Sequence, residues 1–69
     1  MQITVNGKAV HSTDNINVLR LLEEQKVKTP EYVSVELNGE ILERQDYSTT
    51  IISEGDMVEF LYFMGGGAR

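Results

Sequence analysis

Apolar and polar positions alternate from the start of the chain. In "MQITVNGKAVHS", Ile3 and Val5 fall on one side of an extended backbone, and Gln2 and Thr4 on the other. That period of two predicts a strand with one wet face. Asn6-Gly7 follows, and both residues tolerate the positive φ of a tight type I′ turn. The chain is therefore expected to fold back into a second short strand from Lys8 to about His11. The period then changes. In "DNINVLRLLEEQKVK", Val18, Leu21 and Leu22 recur at helical spacing with Leu19 nearby, while Arg20, Glu23, Glu24 and Lys26 fall on wetter faces. Asn17 is placed at the N-cap, with Asp14 and Asn15 as competitors. Pro30 disfavours helix at Thr29, which leaves one helix of about two to three turns.

"EYVSVELNGEIL" returns to a period of two. Val33, Val35 and Leu37 point one way, Ser34 and Glu36 the other, and Asn38-Gly39 turns the chain into Glu40 to Glu43. "RQDYSTTIISEGD" is irregular, with a single helical turn near Gln45 to Tyr47 and a turn at Glu54-Gly55-Asp56. "MVEFLYFM" closes the chain as a strand. The order is strand, strand, helix, strand, short strand, loop, strand. It predicts an α+β fold with one main helix packed across a mixed sheet of four to five strands. In the β-grasp (ubiquitin-like) version the last strand is central, beside the first. A ferredoxin-like sheet with two helices fits less well, because the second half lacks a convincing helix.

The final strand divides its residues between two faces: Val58, Phe60 and Tyr62 on one, Met57, Glu59, Leu61 and Phe63 on the other. The charge of Glu59 marks the second set as outer, so Val58 and Phe60 are expected to pack under the helix. Leu61 and Phe63, followed by Met64, then form an apolar cluster where solvent would be expected, the pattern of a docking surface. The competing expectation is that the segment from Tyr47 to Ile52 folds over and covers them. Behind the cluster come Gly65, Gly66 and Gly67, which are costly to order and have nothing to pack. Extended, three residues reach about 10 Å, and without β-carbons they could thread a channel closed to any side chain. The bland alternative is a frayed end.

Composition removes most other chemistry. Cysteine is absent, which excludes disulfides, thiol nucleophiles and cysteine-held metals, and His11 is the lone histidine, expected at a solvated strand end. The acidic residues are dispersed without calcium-loop spacing, and no helix or lysine follows the glycines to make a phosphate loop. The chain is expected to bind no metal or cofactor and not to be an enzyme by itself. A net charge of −5 would repel nucleic acid; it either only keeps the protein soluble or steers it onto a basic partner. With no leader pattern and no apolar run near the ~20 residues that span a bilayer, a single soluble cytoplasmic domain is the expectation.

"MQITVNGK", "NVLRLLEE", "VSVELNGEIL" and "ISEGDMVEFLYFMGGG", in that order, resemble the ThiS-type sulfur carriers of thiamine biosynthesis, within the ThiS/MoaD group of ubiquitin-like proteins. The resemblance covers the whole chain. It implies a β-grasp body over residues 1–64 and a flexible glycine tail over 65–69. It also implies that a ThiF-like adenylyltransferase, using ATP, joins AMP to the carboxylate of Gly67. A sulfur donor then replaces AMP to leave a thiocarboxylate, whose sulfur passes to thiazole synthase. Gly65 and Gly66 would thread the partner, and Leu61, Phe63 and Met64 would dock it. Such carriers end on a glycine pair, here Gly66-Gly67, so Ala68 and Arg69 are expected to be removed by a protease. A MoaD-like carrier for molybdopterin, a carrier serving cysteine, and a ubiquitin-like interaction module that is never activated are the alternatives.

Overall fold

The computed structural model describes residues 1–62. Phe63, Met64 and the glycine tail therefore lie outside the described residues. Strand β1 (Gln2–Val5) and strand β2 (Lys8–His11) form the expected antiparallel hairpin, with Asn6 at φ 51° and Gly7 at φ 84°. Helix α1 (Val18–Glu24) makes close to two turns, the lower end of the expected length. Asn17 is its N-cap: the side-chain oxygen accepts from the Arg20 amide at 2.8 Å. A single 3₁₀ turn (Pro30–Tyr32) leads into β3 (Val33–Leu37), and Asn38-Gly39 leads into β4 (Glu40–Ile41). A second 3₁₀ turn (Arg44–Asp46) and an irregular stretch then reach β5 (Met57–Tyr62).

The sheet order is β2-β1-β5-β3-β4, with β5 central, parallel to β1 and antiparallel to β3. Alternation along each strand sends Ile3, Val5, Val33, Val35, Val58 and Phe60 to one face, where they meet Val18, Leu21 and Leu22 of the helix. Val58 and Phe60 thus lie in the core, as the charge of Glu59 implied. β4 ends two residues earlier than the expected Glu40 to Glu43, because Glu43 already enters the second 3₁₀ turn.

That shortening leaves the outer edge of β3 without a partner strand over Val33 to Val35, apart from one backbone bond in which the Leu42 amide donates to the Val35 carbonyl at 2.9 Å. Side chains serve the remaining groups. The Tyr47 hydroxyl accepts from the Val35 amide at 3.0 Å and lies 3.5 Å from the Val33 carbonyl oxygen. The Arg44 guanidinium donates to the carbonyls of Pro30, Glu31 and Val33, and sits over the Tyr47 ring. An edge that could recruit another strand is thereby closed. Tyr47 and Ile52 are buried on the helix side of the sheet. They lie on the face opposite Leu61, so for that residue the competing expectation is corrected; Phe63 and Met64 lie outside the described residues.

Candidate functional site

Strand β5 is held from both sides by the two Asn-Gly turns. Asn6 Oδ1 accepts from the Phe60 amide at 2.8 Å, and Asn38 Oδ1 from the Met57 amide at 2.9 Å. The Glu54-Gly55-Asp56 turn fixes where the strand begins. Gly55 takes φ 83°, the left-handed conformation that glycine adopts without strain. Glu54 accepts from the Gln2 amide, and Asp56 accepts from the Ser53 amide and the Asn38 side chain. These residues, conspicuous in the sequence, are thus scaffolding: they fix the register of the strand that runs into the glycines.

The sheet face opposite the helix carries the outward residues of all five strands. Leu61 lies on it, half-buried, on the face that the alternation along the strand assigned to it. Met57 is 60 % exposed on the same strand, and Ile41 is 58 % exposed on β4. Between them Glu59 stands directly opposite Glu36, and Ile41 is the next partner beyond Glu36. Neither carboxylate forms an ion pair among the described residues, where the two ion pairs are Met1 with Asp14 and Arg20 with Glu23. At the end of β5, Tyr62 is paired with Val33 and is 52 % exposed; Tyr32, beside Val33 in sequence, is also exposed. Sequence reading named neither Ile41, Glu36, Tyr32 nor Tyr62 as docking residues. Cross-strand register sets Glu36 and Ile41 on the face of Leu61 and Glu59, whereas Tyr62 lies on the other face of the sheet and Tyr32 in the turn before β3.

Other polar clusters serve the fold. Glu24 accepts from the hydroxyls of Ser12 and Thr13, each at 2.6 Å, and these bonds hold its carboxyl below the usual range. Asp14 is lowered by the Met1 ammonium that donates to it at 2.8 Å. Both sit at the end of the sheet where β1 begins, away from Tyr62. The open groove there, about 410 Å³, is lined by Asp14 and Glu54, whose carboxylates are already engaged. His11 is exposed at a strand end. Among the described residues no group of three or more His, Cys, Asp or Glu is placed to hold a metal, and no helix is long and apolar enough to cross a membrane.

One helix across a five-stranded mixed sheet, with the last strand central and parallel to the first, defines a ubiquitin-like β-grasp protein. In this one the central strand runs directly toward a glycine run in the sequence. The ThiS family model matches residues 2–67, and the chain belongs to the ThiS family. It is similar to the crystal structure of the thiamine biosynthesis protein (ThiS) from Geobacter metallireducens, at 54 % identity and TM-score 0.88, over 97 % of this chain and 100 % of that one. A solution structure of a thiamine biosynthesis protein from the same organism matches at 55 % identity and TM-score 0.79, over 97 % of this chain and 88 % of that one. The thiazole synthases of Paramagnetospirillum magneticum and Magnetococcus marinus are 32 % and 33 % identical over 99 % and 97 % of this chain. The chain spans about a fifth of their length, 21 % and 20 %.

Proposed function

We propose that this chain is a sulfur carrier for the thiazole branch of thiamine biosynthesis, with Gly67 bearing the sulfur. The observation that carries the reading is where the family match stops: it runs through Gly67 and leaves Ala68 and Arg69 outside. Once those two residues are removed by a protease, the Gly67 carboxylate is free. A carboxylate is a poor electrophile, so it needs a better leaving group. In the proposed sequence its oxygen attacks the α-phosphorus of ATP and pyrophosphate departs, which yields an acyl-adenylate. Sulfur delivered at the oxidation level of sulfide then attacks the acyl carbon; the bond to AMP breaks and a thiocarboxylate remains. The ATP site belongs to a partner adenylyltransferase, and the carrier is a co-substrate, not an enzyme.

This division of labour suits the body described above. In-line displacement depends on positioning, and positioning requires a rigid docked globule with a thin end reaching into the partner. Leu61, Phe63 and Met64 serve the docking, and Gly65 and Gly66 the threading. Thiazole synthase as acceptor is supported by the two relatives of that name, which match this chain along one-fifth of their length. The test is mass spectrometry of the protein purified from its native host. The expected species ends at Gly67, with a fraction heavier by about 16 Da from exchange of oxygen for sulfur after activation. A sample that is biologically competent and consists only of chains extended past Gly67 overturns the proposal.

A further inference from the structure

We infer that Asn38 is a site of spontaneous covalent modification in the folded protein, where its side-chain amide is hydrolysed to a carboxylate, and that Asn6, in the matching turn, is guarded against the same reaction. Both asparagines precede glycine. In such a pair the glycine amide nitrogen loses its proton and attacks the carbonyl carbon of the asparagine side chain. The bond to the side-chain nitrogen breaks and ammonia leaves, which closes a cyclic imide. Water then opens the ring at either carbonyl, to give aspartate or, with a lengthened backbone, isoaspartate. Glycine leaves the nucleophile uncovered because it has no β-carbon. The space around Gly7 and Gly39 is open, and among the described residues neither amide donates to an acceptor. Asn15 and Asn17 instead precede Ile16 and Val18, whose branched side chains crowd the nitrogen.

The backbone does not separate the two turns, since Asn6 and Asn38 share φ 51°. What each side chain holds does. Ring closure draws the side chain back onto its own backbone and away from β5. At Asn6 this strips the only side-chain acceptor, at 2.8 Å, from the amide of Phe60, a core residue, and a desolvated amide without a partner is expensive. At Asn38 two bonds are lost, from the Met57 amide at 2.9 Å and to Asp56 at 3.1 Å. Both lie at the surface beside an exposed Met57, where water replaces them, so they restrain the side chain weakly. The product is also less welcome there. A carboxylate at position 38 loses the donor to Asp56 and stands beside a like charge, in the turn that fixes where β5 begins. At position 6 a carboxylate still accepts from Phe60.

The experiment incubates the full chain warm at mildly alkaline pH, once folded and once in guanidinium chloride, and follows each site by peptide mass mapping with isoaspartate detection. Rates in the folded chain are divided by those of the same site in denaturant, which cancels the effect of neighbouring residues. On that scale Asn38 should convert about tenfold faster than Asn6. Conversion of Asn6 at an equal or greater relative rate overturns the inference. So does a folded chain whose Asn38 stays intact while the denatured chain converts. Variants test the consequence. Asn38→Asp should melt a few degrees below the wild type and Asn6→Asp closer to it. The exchange Asn38→Asp/Asp56→Asn, which restores one donor and one carboxylate to the pair, should regain most of the loss. A double variant melting as low as Asn38→Asp alone overturns the like-charge account of the modified turn.

Discussion

Replacing Tyr47 by phenylalanine removes one oxygen atom from a site that is 3 % exposed and keeps the ring that fills it. The change isolates the hydroxyl's work on the edge of β3. Val35 is fully buried, and its amide donates to that oxygen at 3.0 Å. With the hydroxyl gone, β4 offers no acceptor in its place, because it stops at Ile41. A buried amide left without an acceptor costs about 1–3 kcal/mol. The contact to the Val33 carbonyl, at 3.5 Å, is too long to add much, and Arg44 still donates to that oxygen at 3.0 Å. A loss of about 2 kcal/mol in so small a domain lowers Tm by roughly 8–16 °C. Thermal melting followed by circular dichroism measures it. Amide exchange followed by NMR locates it, since Val35 should lose more protection than its neighbours in β3. A variant melting within about 2 °C of the wild type, with Val35 still protected, would refute the account of how this edge is closed.

Two further outcomes follow from the same contacts. Glu24→Gln should cost about 1 kcal/mol at neutral pH, the solvent-screened remainder of two charge-assisted hydrogen bonds from Ser12 and Thr13. Because the Glu24 carboxyl is held below its ordinary 4.5, its contribution is present above that value and is lost as pH falls through the lowered one. Wild-type and variant melting curves recorded across acid pH should therefore converge; a constant gap would contradict the linkage. Gly66→Ala, in a chain ending at Gly67, should leave Tm unchanged and slow formation of the AMP adduct with ATP and the host adenylyltransferase by roughly a hundredfold. Adduct formation at the wild-type rate would remove the case for threading.

Local rules were enough to place most elements. Asn6-Gly7 and Asn38-Gly39 marked both hairpins because few residue pairs accept consecutive positive φ, and Asn17 marked the start of the helix by its reach to a free amide. The alternation of Val58 and Phe60 with Glu59 separated core from surface on the central strand before any pairing was known. The resemblance that pointed to Gly67 lies equally in the sequence, since a glycine run beside an apolar strand can be read without coordinates. Nothing local, however, fixes what stands beside what. That Tyr47 of an irregular stretch would reach Val35 and act as the missing strand depended on β4 stopping short. The Asn38-Gly39 turn already set Ile41 beside Glu36, but that Glu36 would face Glu59 depended on the register of β3 against β5, two strands distant in the chain. Period and turn chemistry act over a few residues, whereas register is settled by burying one face of the whole sheet at once; the docking face is a product of that second, collective choice.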